Sequence, residues 1–239
     1  MTSPATRELT VRLRQPHPAQ AQVLDCQAPR IIICAGRRGG KTVVAYIRAV
    51  QRFLAGRRQL YTAPTQEQVD AFWYEVKNAL AEPLDAGVFH KNESLHLIER
   101  PGTKQRIRAK TAWNPDMLRG DYADDLTLDE WQLSNEDMWD LVGLPMLLDN
   151  NGDALIIYTP PSLHSRSLSK AQDPRHAAKM FAKAKADTTG RWATFHWVSQ
   201  VNPHISQDAL GQLSQDMSRL AYRQEIMAED VDEAPGALW

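Results

Sequence analysis

Three things are scarce in this sequence, and each scarcity excludes something. Only two of its 239 residues are cysteine, Cys26 and Cys34, and their spacing is not one that holds a metal, so neither a disulfide framework nor a cysteine-based zinc site is expected. Cys34 ends an apolar run and reads as a reduced, buried thiol. Long apolar runs are missing as well. No stretch approaches the roughly 20 residues of a membrane-spanning helix, and the N-terminus has no signal-peptide core. The chain therefore reads as soluble and intracellular, with no membrane partner. Excess charge is the third scarcity: 28 Lys and Arg against 29 Asp and Glu leave a formal net charge of -1. That argues against a protein gripping nucleic acid by bulk positive charge, and leaves room only for a local basic patch.

What is present is globular in character. Hydrophobic residues make up 43% and charged residues 24%, enough for one α/β domain with a real core or for two small ones. No repeat or domain boundary stands out. Residues 1–15 read as a polar, loosely ordered head, and residues 16–239 as one domain. A short helix is expected within Pro16 to Cys26, a buried strand at Arg30 to Cys34, a helix from Thr42 to Leu54 and a strand from Gln59 to Ala63. Thr65 and Gln68 form a capping box that opens a helix running to about Leu80. Pro101-Gly102 lies between Leu95–Ile98 and Gln105–Arg108, which predicts a hairpin. Further strands are expected at Leu126–Leu128, Ala154–Tyr158 and Trp192–Trp197. Ser134 with Asp137 caps a helix, and the chain closes with one from about Asp208 to Met227. Strands alternating with helices favour a mainly parallel sheet covered on both faces.

The sharpest signal is Ala35-Gly-Arg-Arg-Gly-Gly-Lys-Thr42, set between a predicted strand and a predicted helix. That context marks a Walker A phosphate loop. Gly36, Gly39 and Gly40 let backbone N–H groups close on phosphate oxygens, and the helix N-terminus adds partial positive charge. Lys41 would reach the β- and γ-phosphates, and Thr42 would place its hydroxyl on Mg²⁺. One departure is that Ala35 stands where the first glycine usually does. Downstream, Leu126-Thr-Leu-Asp-Glu130 has the form of a Walker B strand, with Asp129 for the metal and Glu130 as general base for water. Nucleotide kinases need no such glutamate, so the pair favours hydrolysis. Asp125 departs from a fully apolar strand. Thr159-Pro-Pro-Ser162 ends another strand, and a hydroxyl there would face the ligand crevice.

Taken in order, these elements resemble the motor domain of viral terminase large subunits, a P-loop NTPase of the RecA/ASCE-like kind. Gly36 to Thr42 is similar to that family's arginine-bearing Walker A, and His17-Pro-Ala-Gln20 to the segment whose glutamine recognises adenine. Thr62 to Thr65 resembles the segment after the second strand, and Thr159 to Ser162 the coupling motif. Tyr222 to Glu225 with Ala228-Glu229 resembles the close of the ATPase domain. The resemblance runs from Pro16 onward. It implies ATP and Mg²⁺ as cofactors and double-stranded DNA, a portal protein and a small terminase subunit as partners. It also implies a ring, a pentamer in this family, and work in the host cytoplasm and at the procapsid portal. The nuclease domain that follows in full-length members is not expected within 239 residues. Arg119 matches the position of an arginine finger given to a neighbouring subunit, and Arg37 and Arg38 are candidates in cis.

Two basic clusters are candidate tracks for DNA phosphates. Lys104, Arg106, Arg108 and Lys110 alternate along a predicted strand and so share one face. Arg166, Lys170, Arg175, Lys179, Lys183 and Lys185 make the second, and for either a solvated surface is the plainer reading. Trp73, Trp113, Trp131, Trp139, Trp192 and Trp197 are expected in the core or at its rim. A helicase-like ATPase is the alternative within enzymes, though it would need a second RecA-like domain. A nucleotide-binding assembly module without turnover is the alternative outside them.

Overall fold

The computed structural model describes residues 8–112, 115–161 and 169–231. Trp113, Ser162 and Arg166 lie outside the described residues. Eight strands form one sheet in the order β3-β4-β5-β2-β6-β7-β1-β8. From β5 (Arg106–Thr111) through β2 (Arg58–Ala63), β6 (Asp125–Leu128), β7 (Asp153–Tyr158), β1 (Arg30–Ala35) and β8 (Trp192–Trp197), every neighbouring pair is parallel. The expected hairpin is present as β4 (Leu97–Glu99) antiparallel to β5, and β3 (His90–Asn92) extends it. The short strand β3 has three exposed residues and no apolar alternation, so nothing in its sequence announces it.

Both faces of the sheet are covered, and β1 shows why a run of isoleucines was needed. Ile31, Ile33 and Ala35 enter one core with Val44, Ile47 and Phe53 of α2 (Lys41–Leu54) and Phe72 and Val76 of α3 (Gln66–Ala79). Ile32 and Cys34 enter the other, with Trp131, Met138, Leu147 of α5 (Leu144–Leu148) and Ala177 of α6 (His176–Lys185). Period-two alternation on a strand buried on both sides reads in the sequence as unbroken hydrophobicity. Four of the tryptophans, Trp73, Trp131, Trp139 and Trp197, are buried.

Several expectations need correction. Residues 8–15 are not a loose head. They run extended along α2 and α3, with Arg12 N–H donating to Ala79 O, Arg14 N–H to the Tyr46 hydroxyl, and Val11 and Leu13 against the core. The closing helix is two: α7 (Gln207–Asp216) and α8 (Arg219–Glu225). The break lies at Met217, which is extended, and Ser218 caps the second helix through the Ala221 N–H. Asp137 makes no side-chain cap. A 3-10 turn at Trp131–Leu133 and a π-helical turn at Met138–Gly143 lead instead into α5. The Thr65–Gln68 capping box is present in both directions, and α1 (Pro18–Asp25) begins with a second one between His17 and Gln20. A short α4 (Ala81–Asp85) follows α3.

Candidate active site

The C-terminal ends of β1, β6 and β7 converge, and β7 lies between the strand that leads into the glycine-rich loop and the strand that ends in the acidic pair. Gly40 ends the loop in a left-handed conformation (φ 83°) and opens α2, whose N-terminus has no side-chain cap. A 14-residue helix with its first N–H groups uncapped is a ready site for an anion. Gly36 answers the question raised by Ala35. Ala35 is the last, fully buried residue of β1, whereas a Cβ at Gly36 would lie 2.4 Å from both Ile226 O and Ser199 Oγ. The glycine is needed where the C-terminal segment closes on the loop.

Lys41 is buried and donates to Ala35 O (2.9 Å), Gly36 O (3.0 Å) and Thr159 Oγ1 (2.6 Å). Thr42 Oγ1 faces Asp129 Oδ2 at 3.5 Å. The buried Tyr61 hydroxyl donates to that same carboxylate oxygen (2.7 Å), and the Glu130 N–H donates to Asp129 Oδ1 (2.9 Å). Burial, then the neighbouring Glu130 charge, pushes the Asp129 carboxyl up to about 6. Burial also raises Tyr61, which stays a hydroxyl donor. Glu130 has a left-handed backbone (φ 49°), a conformation that costs of order 1–3 kcal/mol for a non-glycine residue and gathers at functional sites. Lys41, Thr42, Asp129, Glu130 and Thr159 are thus brought together.

A second layer, which the sequence did not disclose, holds the loop from outside. Ser199 Oγ donates to Arg37 O (2.6 Å), Asn202 Nδ2 to Arg38 O (2.6 Å) and Trp197 Nε1 to Gly39 O (2.8 Å). His17 Nε2 lies 3.2 Å from the same Gly39 oxygen. The Arg37 guanidinium pairs with Glu225 of α8, a bond that raises its affinity for its proton. Arg38 is exposed, also left-handed (φ 60°), and lines an apolar groove of about 570 Å³ with Ile205, Leu210, Leu213 and Met217.

Gln20 is held at the edge of the phosphate loop. Its Oε1 accepts the His17 N–H (2.8 Å) and closes the cap of α1, while its Nε2 donates to Gly40 O (2.8 Å) and ties α1 to the phosphate loop. It borders a cavity of about 390 Å³ beside Gly40 and Val43, which Asn202, Pro203 and His204 also line.

Arg119 is not assembled with the other residues. It stands exposed after a 3-10 turn at Pro115–Leu118, paired with Asp116 (2.7 Å). The basic strand is less free than its spacing suggests: Arg108 and Lys110 both bind Asp121 (2.8 and 2.9 Å), and Arg106 donates to Tyr122 O. Alternation along β5 holds, with Ile107 and Ala109 buried between the cations, but all three of its cations Arg106, Arg108 and Lys110 have a partner in the Arg119 loop. In the second cluster Lys179 pairs with Asp173, and Lys170 is exposed. Cys34 is a buried free thiol, as expected, pushed up to about 12 by its burial.

The chain is 32% identical over 168 residues to the terminase large subunit of Thermus virus P23-45, a match covering 63% of this chain and 35% of that protein. It therefore spans 35% of the length of the curated relatives it matches. It superposes on the large terminase ATPase domain of Thermus phage P74-26 with a TM-score of 0.74 at 24% identity, over 91% of this chain and 94% of that one. The large terminase of another thermophilic bacteriophage, in complex with ADP, gives 0.64 at 14% identity, over 90% of this chain and 53% of that one. No family model matches. Sequence and fold point the same way as the motifs: this chain is similar to phage terminase large subunits over 63% of its length and shares the fold of a large terminase ATPase domain.

Proposed function

We propose that this chain is an ATP-hydrolysing motor domain that couples Mg²⁺-ATP turnover to the movement of double-stranded DNA into a procapsid. The observation that carries the reading is the closed meeting of the phosphate loop with the acidic pair. Lys41 is anchored on the end of β7, and Thr42 Oγ1 lies 3.5 Å from a buried carboxylate of Asp129. The thermophilic-phage large terminase with the lower TM-score, similar in fold, has been solved with ADP and with ATP-gamma-S, which supports a nucleotide here.

In this reading the triphosphate lies along the N-terminus of α2, and Lys41 exchanges its loop carbonyls for β- and γ-phosphate oxygens. The base occupies the cavity beside Gly40 and Gln20. The donor set fits Mg²⁺, which takes few protein ligands and keeps phosphate oxygens and water. Thr42 and Asp129 would be those ligands, and among the described residues no group of three His, Cys, Asp or Glu could hold a metal unaided. The ion would neutralise charge on the phosphates. Glu130 takes a proton from the attacking water as its oxygen bonds to the γ-phosphorus and the bond to the β–γ bridging oxygen breaks. Arg37, paired to Glu225, and Arg38, exposed in the same loop, are both cis candidates. Arg119, exposed on its own loop, suits a finger donated to the next subunit of a ring. Lys104, Arg106 and Lys170 remain candidate phosphate contacts, while Arg108 and Lys110 first have to leave Asp121, and Lys179 Asp173. A portal protein and a small terminase subunit complete the proposed assembly.

The test is ATP hydrolysis with Mg²⁺ as protein concentration rises, for the native chain, Glu130→Gln and Arg119→Ala. Glu130→Gln should bind ATP as before and lose turnover by roughly 10²–10⁴-fold. Arg119→Ala should lose about 10³-fold or more, together with any rise of specific activity with concentration. ATP that binds to the native chain and never turns over, with DNA present and at every concentration, would overturn the motor in favour of a nucleotide-binding module.

A further inference from the structure

Gln132 is a buried amide beside the acidic pair, and no motif accounts for it. It sits in the 3-10 turn Trp131–Leu133 directly after Glu130 and is 4% exposed. Its Nε2 donates to Glu130 Oε2 at 2.6 Å, and its Oε1 accepts the Thr159 N–H at 3.3 Å. The amide meets both demands at once, a donor toward a carboxylate and an acceptor toward an N–H, in this one orientation. The turn itself is fixed from outside. Ser169 Oγ donates to Gln132 O (3.0 Å), Lys170 N–H to Leu133 O (2.9 Å), and His176 Nε2 lies 2.9 Å from Trp131 O.

We infer that Gln132 is a positioning residue that sets the Glu130 carboxylate for water and links it to the end of β7. This rests on the hydrolytic reading above. The chain of contacts runs without a gap: Lys41 Nζ to Thr159 Oγ1, Thr159 N–H to Gln132 Oε1, and Gln132 Nε2 to Glu130. One oxygen of Glu130 is held by the amide, and the left-handed backbone fixes where the side chain starts. Restricting the carboxylate in this way keeps the base oriented for proton transfer, which is where geometry acts on rate. Thr159, which bonds Lys41, lies at the far end of the same amide. The carboxylate that would orient water and the lysine that would meet the γ-phosphate are thereby tied to one strand end.

The test compares Gln132→Leu, which has no polar group, and Gln132→Glu, which keeps size and polarity but opposes Glu130 with a like charge. Both should lower kcat by roughly 10- to 100-fold, the worth of one charge-assisted hydrogen bond, with KM and ATP affinity within about threefold of native. Each variant is also placed on Glu130→Asp, whose shortened side chain withdraws from the amide. If Gln132 acts through Glu130, the second substitution adds little there, whereas general damage multiplies through. Retention of kcat within about twofold in Gln132→Glu, or losses that multiply on Glu130→Asp, would overturn the proposal. If Glu130→Gln itself keeps native turnover, the hydrolytic assignment of the site has failed, and this inference falls with it for that separate reason.

Discussion

Strand β6 carries an aspartate at each end, and the two have opposite surroundings. Asp125 begins the strand and Asp129 follows its last residue, and both are 3% exposed. Around Asp125 burial raises the carboxyl and three arginines oppose that effect. Arg57 approaches to 2.6 Å, Arg48 to 3.4 Å and Arg52 to 3.9 Å, and Gln59 donates at 3.1 Å. The same three arginines also reach Asp153 at the start of β7. Around Asp129 burial raises the carboxyl and the nearest charge, Glu130, raises it further, with Tyr61 and Lys41 opposing. One end of the strand has its counter-charges built in. The other keeps negative charge uncompensated, which suits a site that receives a cation with its substrate.

Removing the charge at the compensated end should have the largest effect on folding. Asp125→Asn leaves Arg48, whose side chain is 5% exposed, and its two neighbours with Asp153 alone. Breaking a buried pair in this way costs about 3–5 kcal/mol, visible as a lower urea midpoint at unchanged slope. Nucleotide affinity, read at the opposite end of the strand, should stay within about twofold. A loss below about 1 kcal/mol would mean the arginines do not depend on Asp125, because that is the scale of an exposed pair.

At the uncompensated end the expected sign is reversed. The folded-state pKa of Asp129 is raised from 3.8 to about 6, so the folded protein holds this proton more tightly than the unfolded chain. The stability it contributes is complete below pH 3.8 and is lost as pH rises through about 6. The upper bound is about 3 kcal/mol. Asp129→Asn should remove that slope, so that at pH 7 the variant is as stable as the native chain or more so, while Mg²⁺-dependent turnover is lost. Unfolding of both proteins followed from pH 4 to pH 7 tests this. If the difference between them is flat, or if the variant loses stability above pH 6, the comparison between the two ends is wrong.

These two aspartates also show what a sequence discloses. The phosphate loop was legible because its chemistry is contiguous: Gly36 to Thr42 sit side by side, between an apolar run and a helix. The Thr65 capping box was legible for the same reason. Asp125 looked only like a flaw in an apolar strand, because Arg48, Arg52 and Arg57 are more than 65 residues away and nothing local pairs them. Trp197, Ser199 and Asn202 hold the phosphate-loop carbonyls across about 160 residues, and Gln132 looked like an ordinary turn residue. Local propensity and motif spacing reach the loop itself, and tertiary contact alone decides what holds it.

The smallest expected effect concerns the cations that alternation along β5 presented as an open face. Asp121, with a side chain 7% exposed, accepts from Arg108 and Lys110, and Lys110 also donates to Met117 O. Those contacts bracket Arg119 from both sides of the loop. Asp121→Ala should therefore cost only about 0.2–1 kcal/mol of stability, as partly exposed pairs do, while loosening the segment that presents the arginine. The variant's ATPase should fall most where specific activity depends on protein concentration, and less at high dilution. It also releases two positive charges, so retention on double-stranded DNA should rise at low salt and the advantage should fade as salt is added. Unchanged turnover with tighter DNA binding would show that Asp121 only masks a basic face. Reduced turnover with unchanged DNA binding would show that the strand's cations serve to hold Arg119, and that DNA is engaged elsewhere.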